Sequence, residues 1–158
     1  MTIKVGDTLP AGTLKIMSEK GPKDITIEEI TKGKKTVIFA VPGAFTPGCS
    51  MAHLPGFVVN ADTIKAKGVD VIACLAVNDA FVMGAWGKAQ NAEEILMLAD
   101  GSADYTKTLG LELDASGFGM GIRSQRYAML VEDGKVTYLG VDAKDIEKSS
   151  ADAILAEL

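Results

Sequence analysis

The sequence predicts an α/β fold, a mixed β-sheet flanked by helices, on three observations. Continuous apolar, β-branched runs at residues 36–41, 69–77 and 95–99 alternate with stretches of helical period, and a run without polar alternation is what a strand covered on both faces requires. Late in the chain Asp133-Gly134 separates two further apolar runs; this dipeptide is a strong two-residue hairpin signal, so the last strands should be antiparallel. The 158 residues carry no internal repeat, linker or low-complexity tract and fit one domain over 1–158, long enough to bury about two thirds of its unfolded surface without disulfide or metal staples.

Each element has its local reason. Residues 3–18 hold short apolar pieces broken by Gly6, Pro10 and Gly12, as in an extended entry segment or an edge hairpin. Gly21-Pro22 reads as a turn, residues 24–26 as a short strand, and Ile27 and Ile30 lie at helical spacing in a brief helix ended by Gly33. Lys32, Lys34 and Lys35 read as a solvated loop. The run 36–41 then delivers the chain into a turn-rich stretch, 42–49, that ends on Cys49. Helix-compatible sequence follows until Pro55, which should stop or kink it, before Phe57, Val58, Ala61 and Ile64 continue a helical stripe.

Asp70 interrupts the next strand, and Asn78-Asp79 offers an N-cap for a helix carrying Phe81, Val82, Ala85, Trp86 and Ala89. The strand at 95–99 ends at Asp100-Gly101, and a short helix over 104–109 closes on Gly110. Between Leu111 and Ile122 the pattern fails. The glycines at 117, 119 and 121 lack the strand–glycine–helix context of a phosphate loop, so this tract reads as a flexible loop. Ser149-Ser150 is an N-cap for a last helix over 151–158. The strand order does not follow from these signals.

Composition excludes several functions. With 16 Lys and Arg against 21 Asp and Glu, the net charge is -5, which disfavours nucleic acid and anionic membranes, both held mainly through basic side chains. No basic segment followed by an apolar one opens the chain, and no run is long enough to cross a bilayer. His53 is the single histidine and Cys49 and Cys74 are the only cysteines, too few soft ligands for a zinc site, so neither metal nor cofactor is expected. Two isolated cysteines are not a secreted disulfide framework, and a reducing compartment, the cytoplasm, is the expected location.

The chemistry converges on Cys49. A cysteine in the first turn of a helix gains from unpaired backbone N–H groups and the positive end of the helix dipole, both of which favour the nucleophilic thiolate. If the bond to be attacked is an O–O bond, Cys49 also needs a group that holds the peroxide and a cation for the charge on the departing oxygen. Thr46, three residues earlier, supplies a hydroxyl; Pro42 and Pro47 restrict the loop, and Pro42 offers no N–H. An arginine suits the cationic role, because it stays charged and its fork serves two acceptors. Arg126 and Arg123 are the candidates.

The segment Pro42-Gly43-Ala44-Phe45-Thr46-Pro47-Gly48-Cys49-Ser50, with His53-Leu54-Pro55-Gly56-Phe57, Val77-Asn78-Asp79-Ala80-Phe81-Val82, the opening Ile3-Lys4-Val5-Gly6-Asp7 and the late Arg126, resembles the peroxiredoxin family in its peroxiredoxin-5, or type II, branch. The resemblance covers nearly the full chain. It implies a thioredoxin-like fold and a thiol-dependent peroxidase that reduces hydrogen peroxide and alkyl hydroperoxides, with Cys49 as the peroxidatic cysteine that becomes a sulfenic acid. Thr46 and Arg126 would position the peroxide and stabilise the thiolate, and Pro42 would shield the sulfenate. His53, Gly48 and an apolar rim of Phe45, Phe118 and Leu113 would border the pocket. A homodimer with its interface near the active sites is also implied.

Serines, Ser149 and Ser150, stand near the C-terminus where some relatives carry a resolving cysteine. Cys74 remains as a resolving candidate, set against an inert core thiol in an apolar run. Without an internal resolver an external thiol must reduce the sulfenic acid; the resemblance favours glutathione with glutaredoxin, with thioredoxin as the other reductant. Two competing readings stay open: a cysteine hydrolase with His53 as base, and a non-enzymatic redox sensor or binding module of thioredoxin-like fold.

Overall fold

A computed structural model describes residues 2–158. The chain forms a seven-stranded sheet in the order β2-β1-β5-β4-β3-β8-β9, with a separate two-stranded hairpin of β6 and β7. The strands are β1 (Thr13–Ser18), β2 (Gly21–Thr26), β3 (Lys35–Val41), β4 (Val71–Ala76), β5 (Leu96–Ala99), β6 (Glu112–Asp114), β7 (Ile122–Ser124), β8 (Arg126–Glu132) and β9 (Lys135–Asp142). The α-helices are α1 (Ile27–Thr31), α2 (Leu54–Ala66), α3 (Ala80–Ala89), α4 (Asp104–Leu109) and α5 (Ala151–Ala156).

β3, β4 and β5 pair in parallel, and β8 and β9 join antiparallel beside β3. This is the mixed sheet expected from apolar runs followed by a hairpin, whose Asp133 (φ 48) and Gly134 (φ 82) both take left-handed backbone, as a two-residue turn between twisted strands demands. β3 is covered on both faces. Val37, Phe39 and Val41 point to one core with Leu54, Phe57, Ile72, Trp86 and Ile154 from α2, β4, α3 and α5. Ile38 and Ala40 point to the other, with Ile27, Ile30, Tyr105 and Leu109 from α1 and α4. Two hydrophobic layers sandwiching one sheet explain the absence of polar alternation in the run.

Several local expectations change. The first turn is Glu19-Lys20, and Gly21 and Pro22 already belong to β2, an edge strand, where the missing proline N–H costs no ladder bond. Lys35, read as loop, opens β3. Asp70 lies outside β4: its carboxylate accepts from Lys35 N at 2.9 Å and its own N–H donates to Lys35 O at 2.8 Å, tying the strand starts together. The segment read as a flexible loop folds into β6, a 3₁₀ turn at Ser116–Phe118 and β7; strands this short carry too little pattern to read. Ser150, not Ser149, caps α5, its Oγ accepting from Ala153 N at 3.1 Å.

Candidate active site

Cys49 opens a single π-helical turn, Cys49–His53, that runs into α2. Leu54 N donates to Cys49 O, the five-residue spacing of a π turn. Pro55 falls in the first turn of α2 and does not end the helix. A proline contributes no N–H and its ring clashes with the carbonyl four residues back, so the chain widens before it and continues after it.

The loop before Cys49 is fixed from three sides. Asn78 Oδ1 accepts from Ala44 N at 2.9 Å, while the neighbouring Asp79 caps α3 by accepting from Val82 N at 2.8 Å. Trp86, fully buried in α3, donates from Nε1 to Ser50 Oγ at 3.0 Å. Thr46 Oγ donates to Gly43 O at 2.6 Å; with its hydrogen committed there, the hydroxyl keeps its lone pairs for accepting. Asn78 and Trp86 are functional neighbours that the sequence presents only as a cap and a core aromatic. No local signal says that they hold the cysteine loop.

Topology brings the arginine. Antiparallel pairing sets Ala40 near the end of β3 opposite Tyr127 near the start of β8, so the strand that leads to Cys49 ends beside Arg126. Arg126 Nη2 donates to Cys49 Sγ at 3.2 Å and Nη1 lies 2.8 Å from His53 Nδ1. The sulfur itself is fully buried. A Cβ at Gly48 would stand 3.4 Å from Arg126 Nη2, an ordinary van der Waals contact, so Gly48 borders the guanidinium. Arg123 goes elsewhere: its Nε donates to Met120 O at 2.9 Å, and a Cβ at Gly43 would stand 3.2 Å from both Arg123 Nη1 and Met120 Cε. Met120 and Arg123 therefore approach the turn after Pro42, while Phe118 and Phe45 stay exposed at 86% and 56%.

His53 is 1% exposed and packs against Phe39 and Phe57, whose rings stack at 3.9 Å. Its Nε2 lies 2.7 Å from Ser149 O. A carbonyl only accepts, so Nε2 carries the hydrogen, Nδ1 is bare, and Arg126 Nη1 donates to it. Burial pushes the imidazole pKa down to about 4, with the Arg126 charge adding to the effect against the Ser149 hydrogen bond and Asp142. His53 is thus neutral near pH 7 with both nitrogens engaged, which leaves no free base for Cys49 and removes the hydrolase reading. His53 reaches the sulfur only through Arg126.

The buried neutral histidine has a measurable consequence. Unfolded His53 titrates near the ordinary value of 6.5 but the folded one near 4, so the unfolded chain binds the extra proton first as pH falls. The stabilisation is full above about pH 6.5 and is lost progressively toward pH 4, by up to about 3 kcal/mol. Urea unfolding at pH 7 and pH 4.5 should show this loss in the wild-type chain and a smaller one in His53→Asn. Equal losses in both would remove His53 as the source.

Cys74 is central in β4, fully buried, and both cysteines are free thiols. Burial, and then the neighbouring Cys49, push its thiol well above the ordinary range, so it is a poor nucleophile. Among the described residues no group of His, Cys, Asp and Glu could hold a metal ion, and no helix is long and apolar enough to cross a membrane.

The family profile described as Redoxin matches residues 4–155. Peroxiredoxin-2D of Arabidopsis thaliana is 47% identical over 159 residues, covering 99% of this chain and 98% of that relative. Reduced Prx3 of Vibrio vulnificus, in a crystal structure with hydrogen peroxide, superimposes with a TM-score of 0.95 at 60% identity, covering 99% of each chain. Peroxiredoxin 5 of Alvinella pompejana gives 0.86 at 38% identity, also over 99% of each chain. A buried thiol under a guanidinium donor, on a thioredoxin-like sheet of this topology and at these identities, makes the chain a member of the peroxiredoxin family and a thiol-dependent peroxidase.

Proposed function

We propose that Cys49 is the peroxidatic cysteine, that Arg126, Thr46 and Pro42 complete its site, and that the reductant is an external thiol, glutathione with glutaredoxin. The observation that carries the reading is the Arg126 Nη2–Cys49 Sγ hydrogen bond at 3.2 Å, set beside a second cysteine locked in the centre of a strand. The sulfur attacks one peroxide oxygen, an S–O bond forms as the O–O bond breaks, and the departing oxygen takes a proton and leaves as water or an alcohol. Thr46 accepts from the incoming peroxide, and the Arg126 charge stabilises the oxygen that accumulates charge. Pro42, with no N–H, closes the loop side without competing for the peroxide.

One thiol then condenses with the sulfenic acid to a mixed disulfide, releasing water, and a second thiol attacks the first thiol's sulfur, releasing Cys49 as thiol and leaving as a disulfide with the first. Burial and the raised thiol of Cys74 speak for an outside partner over an internal one. Glutathione with glutaredoxin requires a reducing compartment, and the cytoplasm belongs to the same proposal.

A homodimer is proposed with its interface beside the site. Phe45 in the cysteine loop, Phe81 at the start of α3, and Leu113, Phe118 and Ile122 in the β6–β7 hairpin are large apolar side chains left exposed. They belong to the segments that surround Cys49, and exposed apolar surface of this kind marks an interaction face.

Turnover decides the reductant. With glutathione, glutaredoxin and glutathione reductase present, peroxide consumption far beyond one equivalent is expected, and the thioredoxin system alone should support less. Consumption with thioredoxin only would overturn the glutathione assignment. A disulfide between Cys49 and Cys74, seen as loss of two hydrogens in intact mass after oxidation, would overturn the external resolver.

A further inference from the structure

Side chains at alternate positions of a strand share a face, and on β9 the residues Tyr138, Gly140 and Asp142 all meet residues 147–149. Tyr138 Oη donates to Lys148 O at 2.6 Å. A Cβ at Gly140 would stand 2.2 Å from that same oxygen, so only glycine admits the backbone there. Asp142 gathers the rest. Its Oδ2 accepts from Ser149 N at 2.8 Å, Ser149 Oγ at 2.7 Å and Glu147 N at 3.0 Å, and its Oδ1 accepts from Lys148 N at 3.2 Å. Burial raises the carboxyl pKa, but the hydrogen bonds from Ser149, Glu147 and Lys148 outweigh it and hold the group below its ordinary value, as donors to the anion do.

The segment that Asp142 clasps carries mostly exposed residues, Ala143, Lys144, Asp145, Glu147 and Lys148, with no core of its own to hold it. Its one fully buried group is Ser149, whose carbonyl oxygen accepts from His53 Nε2 at 2.7 Å. This acceptor fixes the tautomer that leaves Nδ1 bare for Arg126. If the carbonyl moves away, His53 is free to carry its hydrogen on Nδ1, where it would face the Arg126 N–H donor to donor. Loss of the clasp would then do more than loosen Arg126; it would turn an acceptor beside it into a competitor.

We infer that Asp142, with Gly140 and Tyr138, is a positioning residue for the peroxide step: it holds Ser149 O on His53, and His53 holds Arg126 on Cys49. The inference rests on the role proposed above for Arg126. The test is a double-mutant cycle on the rate of sulfenic acid formation in the reduced protein, read with the nitrogen chemical shifts of His53. Asp142→Ala should slow the wild-type reaction about tenfold and change the Arg126→Ala reaction less than about twofold, because a group that acts through Arg126 loses its effect when Arg126 is gone.

The His53 spectrum should pass from one tautomer, with hydrogen on Nε2, to a mixture. Gly140→Ala should move rate and spectrum the same way from another side of the clasp, and Asp142→Asn, which keeps one acceptor oxygen, should fall between. These two variants carry the test should Asp142→Ala fail to fold. Equal slowing in both backgrounds, or an unchanged rate with an unchanged tautomer, would overturn the inference. The peroxidase reading is judged apart from it, by wild-type reactivity and its loss in Cys49→Ser.

Discussion

Cys49→Ser is expected to leave hydrogen peroxide untouched. One equivalent added to the reduced wild-type chain should raise its intact mass by one oxygen, and the variant should gain none, a rate loss of roughly three orders of magnitude or more, the scale of removing a nucleophile. The reason is specific to sulfur. A sulfur nucleophile attacks a weak O–O bond readily, whereas a serine hydroxyl at the same place is a poor nucleophile toward it. The substitution is nearly isosteric, and Arg126 Nη2, now 3.2 Å from the sulfur, can donate to the new hydroxyl, so the variant should fold to within about 1 kcal/mol of the wild type. Cys74→Ala is the companion control. It removes a buried thiol from the centre of β4 without touching the first step and should consume peroxide at the wild-type rate. Oxygen gain by Cys49→Ser at the wild-type rate would sink the assignment.

Arg126→Ala should slow sulfenic acid formation by at least tenfold, about 1.4 kcal/mol of transition-state stabilisation, and by up to about a hundredfold if it acts like an oxyanion donor. Two effects add. The variant loses the permanent charge beside the sulfur, and the site loses a donor aimed where charge collects as the O–O bond breaks. Lysine should recover only part of the rate. Arg126 serves Cys49 Sγ through Nη2 and His53 Nδ1 through Nη1 at once, a planar fork that a single ammonium cannot reproduce. Since Arg126 is a half-buried strand-end residue, unchanged far-ultraviolet circular dichroism should accompany the loss. An unchanged rate would pass the role to Arg123, whose Nε is bound to Met120 O but whose Nη1 lies near the turn at Gly43.

Much of this was legible in one dimension because its causes are local. The run at 36–41 announces a strand buried on both faces, and β3 is flanked by two apolar clusters. Asp133-Gly134 announces its hairpin because left-handed backbone at two successive positions is a local demand. The short hairpin at 112–124 is not legible in the sequence because strands of three residues are too short to carry a period.

By itself the sequence determined the turn-rich loop and the cysteine that ends it. Cys49, Thr46 and Pro42 lie within one turn-rich stretch, and their spacing alone places a thiol at a helix start with a hydroxyl before it. The tertiary structure decided which groups meet that thiol and in what protonation state. Arg126 reaches Cys49 across 77 positions because β8 pairs antiparallel with β3, and strand order is set by packing that no local pattern encodes. His53 lies on the same helical turn as Cys49, yet its neutral tautomer follows from burial against Phe39 and Phe57 and from a carbonyl 96 positions away. Desolvation and hydrogen bonding depend on what surrounds a group in space, and only the folded chain supplies those surroundings.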